Sequence, residues 1–224
     1  MIVVFDVEGV LVDGEFLPEA ARLVGKEKEV SEITVKGISG EINWEQGLRR
    51  RIEMIRGVSE KGCVEVAEGL PLMRGAKQMA EELRSRDCIM VGVSGGFSLL
   101  AERVKGALGL DHVFSNDLVF HEGRLMGFAL LVGANKRVIL DTAFGDMLDE
   151  DQVVAVVDGA NDMDLFDLAD LRIAFNAQPI VKNMADAMID ARDMSVIPEV
   201  IGQRISWGAQ EGAPSFSAGR GTSN

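Results

Sequence analysis

The residues Ile2-Val3-Val4-Phe5-Asp6-Val7-Glu8-Gly9 carry the clearest structural signal in the chain. Four consecutive apolar residues, Ile2 to Phe5, are typical of a strand buried on both faces, as in a parallel sheet covered by helices. Two acids, Asp6 and Glu8, follow this strand directly. Because alternate residues of an extended chain point to the same side, the two carboxylates can share one site where the strand ends.

Three further apolar runs have the same character, and helical segments separate them. The predicted strands are Cys88–Val93, Val153–Val157 and Leu171–Phe175, and the predicted helices are Ala76–Arg86, Ser98–Ala107, Lys136–Phe144 and Asp162–Ala169. This alternation predicts an α/β fold with a doubly wound parallel sheet. A further segment, Leu118 to Phe128, predicts a β-hairpin that turns at His121-Glu122-Gly123-Arg124.

Two segments depart from the alternation of strands and helices. Residues 14–72 are charged, have helical periodicity and contain no convincing strand, and we interpret them as an inserted small helical cap. The core domain then comprises residues 1–13 and 73–202. From 203 to 224 the composition shifts to Gly, Ser, Ala and Pro without any core-forming period, so we expect a mobile tail.

Composition limits the class of partner. The 224 residues include 23 Lys and Arg against 36 Asp and Glu, a net charge of -13, which repels phosphate backbones and argues against a nucleic-acid partner. The two cysteines, Cys63 and Cys88, are too far apart for a CxxC motif, and no apolar run approaches the roughly 18 residues of a membrane span. We expect a cytoplasmic protein with no membrane partner, as a monomer or homodimer.

Reactive groups also follow two of the other predicted strands. Ser94-Gly95-Gly96 comes after Cys88–Val93, and Asp158-Gly159-Ala160-Asn161-Asp162 comes after Val153–Val157. The carboxyl ends of parallel strands line one crevice, so these groups are expected to meet Asp6. A serine with helix N-terminal N–H groups can hold a phosphate, and clustered carboxylates can hold Mg²⁺. Taken singly, each motif is also compatible with a helix cap or a polar turn.

The order of the motifs points to a family. Lys136 follows Gly133-Ala134-Asn135 at the start of a predicted helix, and the succession Asp6, Ser94, Lys136, Asp158 resembles the four motifs of the haloacid dehalogenase (HAD) superfamily. The resemblance covers residues 1 to about 200 and is strongest to the phosphoserine phosphatases, which carry a small helical cap. It implies a HAD-type Rossmann-like core and a Mg²⁺-dependent phosphohydrolase of serine biosynthesis.

The resemblance implies a role for each residue around the reacting phosphate. Asp6 matches the nucleophile that becomes an aspartyl phosphate, and Glu8 matches the general acid and base. Ser94 and Gly95 match the phosphate-binding turn. Lys136 matches the cation that offsets the charge between the nucleophile and the phosphoryl group.

The same resemblance implies a Mg²⁺ site. Asp158 matches a metal ligand, Asp162 supports the site, and Asp6 and Glu8 complete it. In the family the metal contacts the position of Glu8 through a backbone carbonyl, so a Glu there is compatible with metal binding. Asn161 is expected to contact the substrate.

Three residues of the insertion predict the substrate. Trp44 and Arg51 are seven residues apart, two helical turns, and therefore face the same way. An arginine can bind a carboxylate through two parallel hydrogen bonds, and Glu15 could meet an ammonium group. In phosphoserine phosphatases the matching residues bind the amino acid part, so the resemblance implies a small phosphorylated metabolite, L-phosphoserine, as substrate.

Two departures from the family pattern keep alternatives open. Glu8 replaces the usual Asp and Val10 replaces the usual Thr or Ser. The pattern from Asp6 to Leu11 resembles the phosphoserine:homoserine phosphotransferases, so transfer of the phosphoryl group to an alcohol is one alternative. A catalytically weak phosphoserine-binding or regulatory protein is another. A phospho-acceptor signalling domain is a third alternative. In such domains, however, the Asp that becomes phosphorylated lies on a middle strand, and there is no inserted cap.

Overall fold

Seven strands form one sheet in the computed structural model, which describes residues 1–207. They are β1 (Ile2–Asp6), β2 (Ile89–Phe97), β3 (His112–His121), β4 (Arg124–Ala129), β5 (Val153–Val157), β6 (Leu171–Phe175) and β7 (Ala187–Ile189). Their order across the sheet is β4-β3-β2-β1-β5-β6-β7. All neighbouring strands are parallel except β3 and β4, which form an antiparallel hairpin. The predicted α/β class is confirmed.

Helices cover both faces of the sheet. The α-helices are α1 (Phe16–Arg22), α2 (Glu27–Ile38), α3 (Trp44–Met54), α4 (Glu60–Gly69), α5 (Ala76–Ser85), α6 (Ser98–Leu108), α7 (Arg137–Phe144), α8 (Met147–Glu150), α9 (Pro179–Lys182) and α10 (Ile197–Arg204). Two 3-10 helices span Ala160–Leu168 and Met194–Val196. The first of these occupies the place of the α-helix predicted for Asp162–Ala169, so the type and the start of that element were wrong.

The core is divided by the sheet, as the apolar run in β1 predicts. Every residue of β1 is buried. Val3 and Phe5 belong to one apolar cluster, which includes side chains of α5, α6 and α10, whereas Ile2 and Val4 belong to the other, which includes side chains of α7. Because successive side chains of a strand point to opposite faces, a continuous apolar run fits only a strand with packing on both sides.

The segment interpreted as a cap forms the four helices α1 to α4. Its two connections to the core run side by side, with Asp13 N donating to Pro71 O at 3.0 Å and Met73 N donating to Leu11 O at 2.8 Å. A second attachment joins the cap to the hairpin, where Leu125 N donates to Val58 O at 2.9 Å. The cap is therefore attached to the core at two places, and one of them is the β3–β4 hairpin.

The core extends beyond the predicted tail boundary at 203. Helix α10 ends at Arg204, Ile205 is 8% exposed, and the guanidinium of Arg86 lies 4.3 Å above the ring of Trp207. The boundary at 203 was therefore too early. The rest of the predicted tail, 208–224, lies outside the described residues.

None of the helices in residues 1–207 combines the length and the apolar character that a bilayer crossing demands.

Candidate active site

The carboxyl ends of three parallel strands meet at one cleft. Asp6 ends β1, Ser94 lies in β2 beside it, since Val93 pairs with Asp6, and Asp158 follows β5. The cap closes the other side of the cleft. The lining includes the core residues Asp6, Glu8, Ser94, Gly95, Lys136, Asp158 and Asn161 and the cap residues Glu15, Thr34, Trp44 and Arg51. The residues predicted from separate motifs are thus brought together, with Asp162 buried directly behind them.

Lys136 is the buried cation of the site. Its Nζ lies 2.6 Å from Asp6 Oδ1 and 2.6 Å from Asp162 Oδ1, and it donates to Val93 O at 3.2 Å. Burial alone would lower the pKa of Lys136, but the charges of Asp162 and Asp6 outweigh it and raise that pKa above its ordinary value. The ammonium is therefore charged at neutral pH and is held in place by two carboxylates.

Asp6 is oriented by two donors to the same oxygen. Its Oδ1 accepts from Val7 N at 2.8 Å and from Lys136 Nζ at 2.6 Å, and the residue is 6% exposed. Both hydrogen bonds are to Oδ1, so the lone pairs of Oδ2 remain available to coordinate a ligand or to form a covalent bond with a substrate. This is the arrangement that a carboxylate nucleophile requires.

The end of β2, where the predicted phosphate-binding residues lie, is irregular. The pairing of β2 with β3 shifts register between Val93 and Phe97, and Gly96 N donates to Ser94 Oγ at 2.9 Å. The indole of Trp44, from the cap, lies directly against Gly95, since a Cβ at Gly95 would be 2.7 Å from Trp44 Cζ2. The glycine thus allows the cap to approach the turn.

The Glu8 side chain links the core to the cap. Its Oε2 accepts from Phe16 N, at the start of α1, with a distance of 2.7 Å. Burial raises the pKa of Glu8, and the charge of Asp6 adds to this effect, whereas the hydrogen bond from Phe16 opposes it. A carboxyl group with a raised pKa beside the nucleophile can carry a proton to or from a reacting group.

Three carboxylates provide a candidate metal centre. One oxygen from each of Asp6, Asp158 and Asp162 lies within 4.8 Å of the others, and Asp162 Oδ2 is buried without a hydrogen-bond partner. Carboxylate oxygens are the ligands that hard divalent cations prefer, and the unpartnered oxygen would be satisfied by one. The residues present therefore fit such a cation. The side chain of Glu8 is not in this group and contacts Phe16 N, which is compatible with the predicted metal contact through the backbone carbonyl of Glu8.

Asn161 lies between the metal centre and the cleft. Its Nδ2 donates to Asp162 Oδ1 at 2.8 Å, and its Oδ1 is buried without a partner in the described structure. The amide therefore keeps one free acceptor beside the cleft, and the contact of Asn161 with a substrate stays a prediction.

Arg51 is a buried cation on the cap. It is 8% exposed, its Nε donates to Gly47 O at 3.3 Å, and its Nη1 donates to Thr34 Oγ1 at 3.1 Å. Within residues 1–207 its guanidinium forms no salt bridge with a carboxylate. Burial lowers the pKa of Arg51, although the charges of Glu8 and Glu15 oppose the change.

Glu15 faces the same cleft without a matching cation. Burial raises its pKa well above the ordinary value, and the neighbouring charges of Glu8 and Asp158 raise it further. A positively charged ligand group at this position would lower that pKa and restore the carboxylate.

Two supporting residues were missed by the sequence analysis. Asn116 is fully buried in β3, where its Nδ2 donates to Gly95 O at 2.9 Å and its Oδ1 accepts from Val132 N at 2.9 Å. It thereby connects the backbone of Gly95, in the segment predicted to bind phosphate, to the loop that leads to Lys136. Asp164 accepts from Arg137 N at 2.9 Å and caps the helix after Lys136. Neither has a local sequence signal, because a lone Asn or Asp resembles an ordinary turn residue.

Comparison with known proteins agrees with this geometry. The family of haloacid dehalogenase-like hydrolases matches residues 1–170. The phosphoserine phosphatase of Methanocaldococcus jannaschii is 34% identical over 209 residues, covering 89% of this chain and 97% of that protein, and the phosphoserine phosphatase of Wolinella succinogenes is 34% identical over 200 residues, covering 88% and 97%. A solved structure of a phospho-aspartyl intermediate analogue of phosphoserine phosphatase superposes with a TM-score of 0.83 at 34% identity, covering 89% and 97%.

A matched pair of glycine substitutions tests the packing of the first turn against the metal centre. Gly9 has φ +81 and Gly57 has φ +86, so Ala at either position costs about 1–2 kcal/mol of folding free energy. Only at Gly9 would the new Cβ overlap Asp158, 2.2 Å from its Oδ2, whereas at Gly57 nothing lies within 4 Å. We expect Gly9→Ala to weaken Mg²⁺ binding at least about tenfold in calorimetry, because a ligand must move.

The Gly57→Ala variant is the control for strain alone. It should lose a similar free energy of unfolding and keep the Mg²⁺ affinity of the parent. Equal affinities in both variants would contradict the contact between Gly9 and Asp158.

The metal centre also predicts a pH dependence of stability. Burial, with the charge of Asp6, raises the pKa of Asp158 from 3.8 to about 7. Between these values the folded protein keeps a proton that the unfolded chain has released, so the stability contributed by Asp158 falls as pH rises through this window. In EDTA, the Tm of Asp158→Asn should exceed that of the parent increasingly as the pH rises from about 4 to about 7.

Added Mg²⁺ should reverse the order at the upper end of the pH range. The parent binds the cation with its ionised carboxylate and gains Tm, whereas Asp158→Asn gains much less. A difference in Tm between the two proteins that does not change with pH in EDTA would exclude an Asp158 that stays protonated in the folded protein.

Proposed function

The chain belongs to the haloacid dehalogenase-like hydrolases, and from this premise we propose that it hydrolyses L-phosphoserine to L-serine and phosphate through an aspartyl phosphate on Asp6. One observation carries the proposal. A single cleft holds a carboxylate nucleophile fixed by a buried lysine and, on its cap side, a buried arginine without a carboxylate partner. The first pair suits a phosphoryl group, and the arginine suits the carboxylate of an amino acid.

In the first chemical step, Asp6 Oδ2 attacks the phosphorus atom while the bond from phosphorus to the serine oxygen breaks. Glu8 gives its proton to that oxygen, so serine leaves as a neutral alcohol. In the second step, Glu8 takes a proton from water, and the water oxygen attacks the phosphorus and releases Asp6. Phosphate leaves, and Glu8 again holds a proton.

The charge of the transferred group is balanced by the chain's own donors. Ser94 Oγ, the backbone N–H of Gly95 and Lys136 Nζ would donate to the phosphoryl oxygens, and all three residues line the cleft. The ion pairs with Asp6 and Asp162 fix Lys136 before the substrate arrives, so little reorganisation is needed during the reaction.

A magnesium ion completes this balance in our proposal. Asp6, Asp158 and Asp162 would hold it, and when bound it supplies positive charge that offsets the negative charge of the phosphoryl group. The net charge of the whole chain, -13, makes such compensation necessary for a dianionic substrate.

The cap would bind the amino acid part of the substrate. Arg51 has N–H groups free for a carboxylate, and Glu15 is the carboxylate available to an ammonium group. Trp44 lines the same cleft, lies against Gly95 and would limit the space for the substrate. A cytoplasmic location and a monomeric or homodimeric state remain predictions from the sequence.

A direct assay tests this function. Parent protein with Mg²⁺ should release phosphate from L-phosphoserine, and Asp6→Asn should lower kcat by about 10,000-fold or more, because an amide cannot form the acyl phosphate. Asp111→Asn is the matched control, since Asp111 accepts from Met90 N at 2.8 Å at the opposite edge of the sheet and Asn keeps that acceptor. Undiminished turnover in Asp6→Asn would refute nucleophilic catalysis by Asp6.

The same assay distinguishes hydrolysis from transfer. With L-homoserine present, a hydrolase still releases all of the phosphate, whereas a phosphotransferase forms phosphohomoserine at its expense. Phosphohomoserine as the main product would show that the protein is a phosphotransferase, the class that the Asp6 to Leu11 pattern resembles, and not a hydrolase. Tight binding of phosphoserine without turnover would instead identify a binding or regulatory protein.

The role of Glu8 is tested by Glu8→Gln. The amide oxygen of Gln can still accept from Phe16 N, so the contact between core and cap is kept while the proton carrier is lost. We expect kcat to fall about 100-fold to 10,000-fold with a small change in KM. Glu81→Gln, an exposed change on α5, serves as the control. A parent-like kcat for Glu8→Gln would exclude proton transfer by this residue.

A further inference from the structure

The guanidinium of Arg51 is held by a threonine from a different helix. Thr34 lies on α2 and Arg51 lies on α3, and the two are joined by the hydrogen bond from Arg51 Nη1 to Thr34 Oγ1 at 3.1 Å. Both residues are buried, with 2% of Thr34 and 8% of Arg51 exposed, and both line the cleft. A hydrogen bond between buried groups is not replaced easily by water.

The direction of this hydrogen bond is set by chemistry. A guanidinium has five N–H donors and no acceptor, so the threonine oxygen must accept. The single hydroxyl proton is then free to donate to Val30 O, 3.0 Å away, one helical turn earlier on α2. Thr34 is therefore satisfied on both sides, and its oxygen is fixed relative to the α2 backbone.

A second bond restricts the plane of the guanidinium. Arg51 Nε donates to Gly47 O, in the preceding turn of α3, at 3.3 Å. With two of the five N–H groups engaged, three are left without a partner among the described residues. They belong to the edge of the guanidinium that is available to a ligand.

We propose that Thr34 is a positioning residue for substrate specificity, whose hydroxyl fixes the Arg51 guanidinium in the orientation that binds the substrate carboxylate. This inference rests on the proposed function for the identity of the ligand. An arginine side chain has several rotatable bonds, and bidentate recognition requires its plane to be set. Thr34 makes this orientation a property of the free protein.

The contact also spans two helices of the cap. Arg51, the carboxylate-binding residue, lies on α3, but its orientation is determined by Thr34 on α2. The substrate specificity therefore depends on the relative position of these two helices. A residue that only filled space at position 34 would not influence which substrate is bound.

The test compares two substrates that differ in a single group. Phosphoethanolamine has the phosphate and the ammonium of L-phosphoserine but lacks the carboxylate. Thr34→Val removes the hydroxyl and keeps the shape, and we expect the ratio of kcat/KM for phosphoserine to that for phosphoethanolamine to fall about 10-fold to 100-fold, mainly through the KM of phosphoserine. Thr34→Ser, which keeps the hydroxyl, should restore most of the ratio.

The control is a threonine on another helix whose hydroxyl also donates to the carbonyl oxygen four residues earlier. Thr142 on α7 donates to Val138 O at 2.7 Å, as Thr34 donates to Val30 O, but it is exposed and is not part of the cleft lining. Thr142→Val should leave the substrate ratio unchanged. Circular dichroism at the assay temperature verifies folding, and Thr34→Ala with its smaller side chain replaces Thr34→Val if that variant does not fold.

Arg51→Met separates failure of this inference from failure of the proposed function. If Arg51→Met loses the preference for phosphoserine and Thr34→Val keeps it, the role of Thr34 is wrong and carboxylate recognition by Arg51 stands. If Arg51→Met keeps the preference, the proposed recognition of the amino acid is itself wrong. An equal loss of kcat/KM for both substrates in Thr34→Val, without rescue by Thr34→Ser, would reduce Thr34 to a packing residue and overturn the inference.

Discussion

The ion pairs of Lys136 are the interaction on which the rest of the site depends. A buried ammonium without partners would lose its proton or destabilise the fold, and two adjacent carboxylates without a cation would repel each other. Asp6 and Asp162 at 2.6 Å from Lys136 Nζ solve both problems together. The consequence is a preset site in which one oxygen of Asp6 is held and the other remains reactive. It also accounts for the metal centre, because three carboxylates share this single cation and leave room for a second one.

The cap contributes the opposite kind of group. Arg51 is a buried cation without a partner carboxylate among residues 1–207, and Glu15 is a half-buried carboxyl group without a partner cation in the same residues. They are not paired with each other. A zwitterionic ligand would pair with both, its carboxylate with Arg51 and its ammonium group with Glu15, which it would return to the carboxylate form. The core thus contains a cation that is already paired with two carboxylates, whereas Arg51 and Glu15 of the cap would find their partners in a bound substrate. Glu8 connects the two halves through Phe16 N.

The sequence analysis succeeded where the signal was local. The strands Val153–Val157 and Leu171–Phe175 were predicted with the observed bounds, because a short, continuous apolar run between polar turns is typical of a strand buried on both faces. It failed where the element was short or was determined by distant neighbours. The three-residue strand β7 was missed, since its middle residue, Met188, is 62% exposed and leaves no pattern. The segment after Asp158 was expected to be an α-helix, but its side chains are fixed by Lys136 and Arg137 from another part of the chain.

Local order along the chain was enough to identify the α/β core, the helical insertion and the reactive residues at the strand ends. Each follows from the periodicity of side chains or from the rule that parallel strands end at one edge. The partners of those residues required the tertiary structure. Lys136 meets a carboxylate 130 positions away, Arg51 meets a hydroxyl 17 positions away on another helix, and Glu8 turns to a backbone N–H of the cap and away from the metal ligands. Such choices depend on distances of a few ångströms between separate elements, and no pattern within a single element contains them.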